Sequence, residues 1–231
     1  MTELVGVVAS RGMRSVGIIA IDYLIGKLQP RLIDELYSTH FPVVYETQPS
    51  YAAHPDHPGA AGAWVQKRRG MLPRIEFYLS DTPQLLLTRG YHANFRGQRE
   101  VADQVLDILE KHGVKRIYVL AGYGVGEGEV CCAVTDLELL EALKKQGLGA
   151  GYTGPFIGFS GMVLGLAKLR GIGGVCLFGR SQPSFEDPEY PDPHAARKVL
   201  ETLSRVLDLN LDLAGFDEKV SGQPEPTAIG S

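Results

Sequence analysis

Apolar and polar positions along this chain alternate between short apolar runs and longer amphipathic stretches. Residues 4–9 carry no charge and predict a buried first strand. Residues 16–28 are apolar on more than one side, which predicts a helix packed on a sheet, with Pro30 just past its end. Residues 42–46 predict a second strand. Residues 75–79 and 84–88 predict strands around the turn Ser80-Asp81-Thr82-Pro83. Between 98 and 112, Val101, Val105, Ile108 and Leu109 make one apolar stripe, so a helix is expected there, stopped by Gly113. Strands are expected at 116–121 and 129–135. Asp136 is placed to cap a helix over 137–146, with Gly147 after it. A helix at 159–170 leads to a strand at 175–178, and Asp192-Pro193 opens a last helix over 193–207. Residues 210–213 predict a closing edge segment. Strands alternating with helices imply an α/β fold with a mainly parallel sheet covered on both faces. The strand at 129–135 allows some antiparallel pairing.

Two stretches break the alternation. From 47 to 73 the chain is interrupted by Pro49, Pro55, Pro58 and Pro73, and Gly59-Ala60-Ala61-Gly62-Ala63 has no period. It reads as an excursion with a short hairpin around Trp64, of the kind that forms lids or contact surfaces. Residues 221–231 hold Gly222, Pro224 and Pro226 with few apolar side chains and read as a frayed tail. The expected organisation is a single α/β domain over 1–218 and a flexible C-terminal tail over 219–231.

Composition narrows the partners. With 44% hydrophobic residues in 231, the chain can bury a sizeable core. A net charge of −4 gives no reason to expect nucleic acid or an anionic membrane. Residues 4–9 are too short for a signal peptide and are followed by Arg11, and residues 156–167 fall short of a membrane span. A soluble, cytoplasmic protein is expected. Cys131 and Cys132 are adjacent in a strand-like run and point to opposite faces. They and Cys176 read as small buried hydrophobes, and there is no C-x-x-C.

Glycines mark the candidate chemistry. Gly122-Tyr123-Gly124-Val125-Gly126 follows a strand and invites a phosphate reading, but the third glycine of G-x-G-x-x-G is replaced by glutamate and a strand follows. A flexible turn at the top of the sheet is the plainer reading. Gly12 to Gly17 is followed by a helix and lacks the Lys-Ser/Thr of a phosphate loop; Arg11 and Arg14 can hold a small anion there, or the segment is a tight strand-to-helix turn. His54, Asp56 and His57 are a conceivable metal cluster, set against a solvated loop. Lys67-Arg68-Arg69 is too short a basic run to claim nucleic acid. Ser160 stands directly before Gly161, so G-x-S-x-G spacing fails. Gly158, Gly161 and Gly165 lie on one side of the expected helix, where missing side chains let another backbone approach, from the sheet or from another subunit. The residues therefore assign no catalytic, metal or cofactor-binding group. The candidate interaction or ligand-turn residues are Gly12, Arg14, Gly17, Gly122, Tyr123, Gly124, Gly158, Gly161 and Gly165.

In their order and spacing these segments resemble the proteasome assembly chaperone 2 family. The resemblance rests on Gly12-x-x-x-Val16-Gly17-Ile18-Ile19-Ala20 with Asp22-Tyr23-Leu24-Ile25, and on Val114 through Gly124. It continues through 158–171, Cys176-Leu177 and Pro191-Asp192-Pro193-His194-Ala195-Ala196. It implies a phosphorylase/hydrolase-like three-layer fold without a known catalytic apparatus or cofactor. Some archaeal and eukaryotic members bind proteasome α subunits, and the implied protein is a self-associating, non-enzymatic chaperone or scaffold. The rival reading is an enzyme or binding protein for a small phosphorylated or nucleoside-like ligand, by fold analogy. Family members that dock on the α-ring can end in a hydrophobic-Tyr-X tail. Here Gly230 stands at the tyrosine's place, so the resemblance does not carry that docking mode over. Truncation after Glu218 is expected to leave fold, oligomer size and any α-subunit binding unchanged; loss of binding alone, in a pull-down, would make the tail a docking element.

Overall fold

The computed structural model describes residues 3–41, 64–66, 68–91, 95–124, 128–148, 152–181 and 190–216. Strand β1 (Val5–Ala9) leads through a 3₁₀ turn, Met13–Ser15, into α1 (Val16–Leu28). Then come β2 (Arg31–Tyr37), the small hairpin β3 (Trp64–Gln66) and β4 (Arg69–Met71), and the longer hairpin β5 (Arg74–Asp81) and β6 (Gln84–Arg89). Helix α2 (Gln98–Lys111), β7 (Arg116–Tyr123), β8 (Val130–Val134), α3 (Leu137–Lys145), α4 (Phe159–Leu169), β9 (Gly173–Arg180) and α5 (Pro193–Val206) complete the order.

Seven strands form one mixed sheet in the order β2-β5-β6-β1-β7-β9-β8. The central four, β6, β1, β7 and β9, run parallel. Antiparallel pairs flank them, β2-β5-β6 on one side and β8-β9 on the other. This is the expected three-layer α/β arrangement, and β8 takes the antiparallel place its short link to β7 allowed.

The layers follow from side-chain pattern. Helix α2 buries Val101, Ala102, Val105, Leu106 and Leu109, at helical spacing, on the same sheet face as α4's Phe159, Val163, Leu166 and Ala167. The opposite face carries α1 and α5, the latter through Ala195, Ala196, Val199, Leu200 and Leu203. Arg170, just past α4, ties that helix to α2 by ion pairs to Asp107 at 2.6 Å and to Asp103 and Glu110 at 2.8 Å. Asp136 caps α3 by accepting from Leu139 N at 3.0 Å, as its position predicts.

Two expectations change, and one is untested. Strand β2 is absent from the sequence reading. It is an edge strand whose register shifts between Leu32 and Asp34, so it never shows the two-residue alternation by which strands are read. The strand expected at 42–46 lies outside the described residues, as do His54, Asp56, His57, Lys67 and the tail. The closing segment at 210–213 is no strand. It is an irregular strap over α1, in which the Tyr23 hydroxyl donates to Asp212 O at 3.0 Å and Lys27 pairs with the Asp212 carboxylate at 3.1 Å. Phe216 is fully buried, edge-on to Tyr23 at 4.8 Å. Alternating Leu209, Leu211 and Leu213 can be covered by helices as well as by a sheet, which is why the pattern misleads.

Two glycines of α1 test the packing with opposite sign. A Cβ on Gly17 would run into the backbone carbonyl of Leu120, whereas one on the exposed Gly26 meets nothing within 4 Å. Gly17→Ala is expected to destabilise by about 1–3 kcal/mol through overpacking. Gly26→Ala is expected to stabilise by about 0.5–1 kcal/mol through helix propensity. Chemical denaturation of both variants checks the difference.

Candidate functional site

The parallel strands β1, β6, β7 and β9 end at one edge of the sheet, and the connections there leave in different directions. Helix α1 follows β1 onto one face, and α2 follows the neighbouring β6 onto the other. Such a split at the carboxyl ends of strands is where open α/β sheets place their ligands. Six of the nine candidate residues from the sequence meet at this edge: Gly12, Arg14, Gly17, Gly122, Tyr123 and Gly124.

What they build is a packed seam. Gly17 lets the first turn of α1 lie against the Leu120 carbonyl at the end of β7. Gly122 sits inside β7, where a Cβ would stand 2.9 Å from Met13 O and 3.0 Å from Val16 Cγ2. A Cβ on Gly124 would stand 3.5 Å from Met13 Cε, an ordinary contact. The flexible turn expected at Gly122 and Tyr123 is therefore the last, close-packed part of a strand. A Cβ on Gly12 would meet nothing within 4 Å and its backbone is extended, so its role is local.

Arg14 is not arranged to receive an anion. Its Nε donates to Tyr190 O at 2.8 Å and its Nη2 to Pro191 O at 3.4 Å, while Nη1 lies 3.4 Å from the Asp192 carboxylate. Asp192 N in turn donates to Arg14 O at 2.9 Å. The Asp192 carboxylate also caps α5, accepting from Ala195 N at 2.9 Å, and accepts from the buried Ser181 hydroxyl at 2.7 Å. Ser181 N donates to Tyr123 O at 2.9 Å, so the edge of β7, the end of β9 and the start of α5 are knit together. The sequence reading named Asp192 only as a cap and missed Ser181; a lone serine after a strand carries no signal of its own.

Titration behaviour points the same way. Burial pushes the Tyr123 phenol up to about 12, with Cys131 beside it adding to the shift, and its hydroxyl lies 3.4 Å from Gly128 O. Burial likewise raises the Cys131 and Cys132 thiols, the latter to about 11, and holds Cys176 well above the ordinary thiol value. Protonated, buried thiols are poor nucleophiles and poor metal ligands. Among the described residues no group of three or more His, Cys, Asp and Glu is placed to hold a metal ion. No helix among them is long and apolar enough to cross a membrane.

The other three candidates lie apart, on α4. Gly158 has φ +95° at the N-cap, where a side chain is strained whatever the space. Gly161 is closely approached by the backbone of Phe156, a residue of the chain's own preceding segment. Gly165 is exposed with nothing within 4 Å of a Cβ. The three glycines thus have three separate surroundings. Around them the outer surface of α4 and its lead-in is apolar: Ile157 is 71% exposed, Met162 42% and Leu169 79%.

The site is thus a doubly wound α/β edge closed by backbone contacts and a shared carboxylate, beside a separate exposed helix face. The chain belongs to the PAC2 family, whose sequence profile matches residues 8–221. An uncharacterized protein of Methanocaldococcus jannaschii, MJ1210, is 32% identical over 135 residues, 56% of this chain. That match covers 50% of the relative, so the chain spans about half the length of the curated relative it matches. Among solved structures, PbaB of Pyrococcus furiosus, an archaeal proteasome activator, superposes with a TM-score of 0.77 at 26% identity, over 96% of this chain and 90% of that one. PbaA of the same organism, an archaeal homolog of proteasome-assembly chaperone, gives 0.73 at 22% identity over 95% and 88%. The Mycobacterium tuberculosis proteasome-assembly chaperone homologue Rv2125 gives 0.69 at 19% over 94% and 91%; these last two share the fold.

Gly161 and Gly165 provide the test of this placement. Gly161→Leu is expected to cost about 1–3 kcal/mol by displacing the Phe156 segment. Gly165→Leu is expected to leave the melting temperature within about a degree or rise slightly, because the side chain enters open space and gains helix propensity. Equal losses at the two positions would place α4 wrongly.

Proposed function

We propose that this chain is a non-enzymatic, proteasome-assembly-chaperone-like protein that self-associates and binds protein partners such as proteasome α subunits. The observation that carries the reading is the likeness to PbaB, an archaeal proteasome activator, across 96% of the chain within a shared family. Two features of the molecule support it. At the strand ends, where a nucleoside-like or phosphorylated ligand would be sought, Arg14 is engaged by two carbonyls and Asp192. On α4, Ile157, Met162 and Leu169 offer exposed apolar side chains, the kind of surface that protein partners cover. We also read residues 1–218 as one domain working in the cytoplasm, with protein partners in place of nucleic acid or membrane.

Light scattering of the purified chain is expected to give a mass well above 25.1 kDa. Gly165→Glu is expected to lower that mass while the far-UV circular dichroism of the fold is kept. A pull-down from native lysate, probed for proteasome α subunits, tests the partner. A concentration-independent monomer at tens of micromolar (about the range where weak oligomers form) removes self-association, and absence of α subunits from the captured fraction removes the partner.

A further inference from the structure

The link from β1 to α1 is held in a conformation that its own residues disfavour. Arg14 (φ 45°, ψ 36°) and Ser15 (φ 55°, ψ 16°) lie next to each other in the left-handed region. For an ordinary L-residue that region is disfavoured by about tenfold against the right-handed one. Met13–Ser15 already forms a 3₁₀ turn directly ahead of α1. With both residues right-handed, that turn would continue into α1 and lengthen the helix at its N-terminus.

What opposes this relaxation converges on residues 190–192: Arg14 donates to Tyr190 O at 2.8 Å and to Pro191 O at 3.4 Å, and Asp192 holds it twice more. Asp192 N holds the Arg14 carbonyl at 2.9 Å, and the Asp192 carboxylate faces the Arg14 guanidinium at 3.4 Å. The same carboxylate is fixed from behind by Ser181 Oγ at 2.7 Å and by Ala195 N at 2.9 Å. A strained turn is therefore over-determined from outside by the start of α5 and the end of β9. Within the β1–α1 segment itself, Ser15 N donates to Gly12 O at 3.1 Å and Val16 N donates to Met13 O.

The geometry points to a spring-loaded latch: Asp192 holds the β1–α1 turn in a strained state, and release of Asp192 lets Arg14 and Ser15 relax into a longer α1. The change would be felt at the sheet edge. Met13 O lies over Gly122 and the Met13 side chain over Gly124, so refolding of the turn lifts Met13 off both glycines. Met13 is 37% exposed and Tyr190, whose carbonyl Arg14 holds, is 57% exposed. The two latch states therefore present different apolar surfaces at the strand ends. The latch does not depend on the partners proposed above.

Amide hydrogen exchange on the full chain tests it, with Asp192→Asn and Ser15→Gly. Asparagine keeps a capping oxygen for Ala195 and removes the charge that faces Arg14. In Asp192→Asn, exchange at 12–18 and 190–196 is expected to rise by about tenfold while amides of β7 and β9 hold their rates. Ser15→Gly removes the left-handed penalty at position 15, keeps that of Arg14, and leaves every latch group in place. It is expected to slow opening of the same turn by about tenfold in the natural background and to reverse much of the effect of Asp192→Asn. Exchange that rises uniformly over the protein, or a turn that Ser15→Gly leaves as fast as before, overturns the latch.

Discussion

The close approach of α1 to the end of β7 sets the position of everything at the carboxyl edge of the parallel strands. An α-carbon without a side chain at Gly17 brings the first helical turn against the Leu120 carbonyl, and Gly122 receives Met13 and Val16 from the other side. The Leu120 and Met13 contacts are made to backbone, which cannot rotate away as a side chain can, and Val16 adds a stiff β-branched side chain. The start of α1 is thus fixed in two directions, and with it Met13, Arg14 and Ser15. The Arg14 backbone and guanidinium then meet residues 190–192, so the start of α5 is located by a turn 176 or more residues earlier in the chain. Loosening this seam would loosen the latch, the cap of α5 and the end of β9 together.

This edge shows how an α/β scaffold can keep its topological switch point and fill it with its own backbone. The groups that would greet a ligand are satisfied internally: Arg14 by carbonyls and a carboxylate, Ser181 by Asp192, Tyr123 by burial and the Gly128 carbonyl. Unpaired polar groups are what a small ligand exploits, and satisfied ones add little binding energy when displaced. The exposed apolar residues of α4 lie in the opposite situation. Their removal from water on association is favourable and asks for no particular chemistry from the partner. Fold alone does not decide between these uses; the commitments of particular side chains bear on them.

Much of the fold was legible in the chain because its signals are local. The apolar stripe of α2, the capping aspartates at 136 and 192 with Pro193, and the stop glycines Gly113 (φ +86°) and Gly147 (φ +76°) each act within a few residues of where they stand. Helix α1 lies over the residues that the pattern marked, and the order of motifs carried the family. The exceptions are equally physical. Strand β2 is bulged, which hides its alternation, and the Leu209, Leu211 and Leu213 strap has alternation without a sheet.

The meaning of the candidate residues was not in the sequence. That Gly17 and Gly122 matter could be read from their type, since only glycine tolerates such approach. That they face each other, that Arg14 is spent on residues 190–192, and that Gly161 is crowded while Gly165 is open depend on which distant segments the sheet order brings together. A residue's type determines what it can bond or allow near it. Its neighbours, and so its role, were decided only by long-range pairing of strands and helices, which no local pattern encodes.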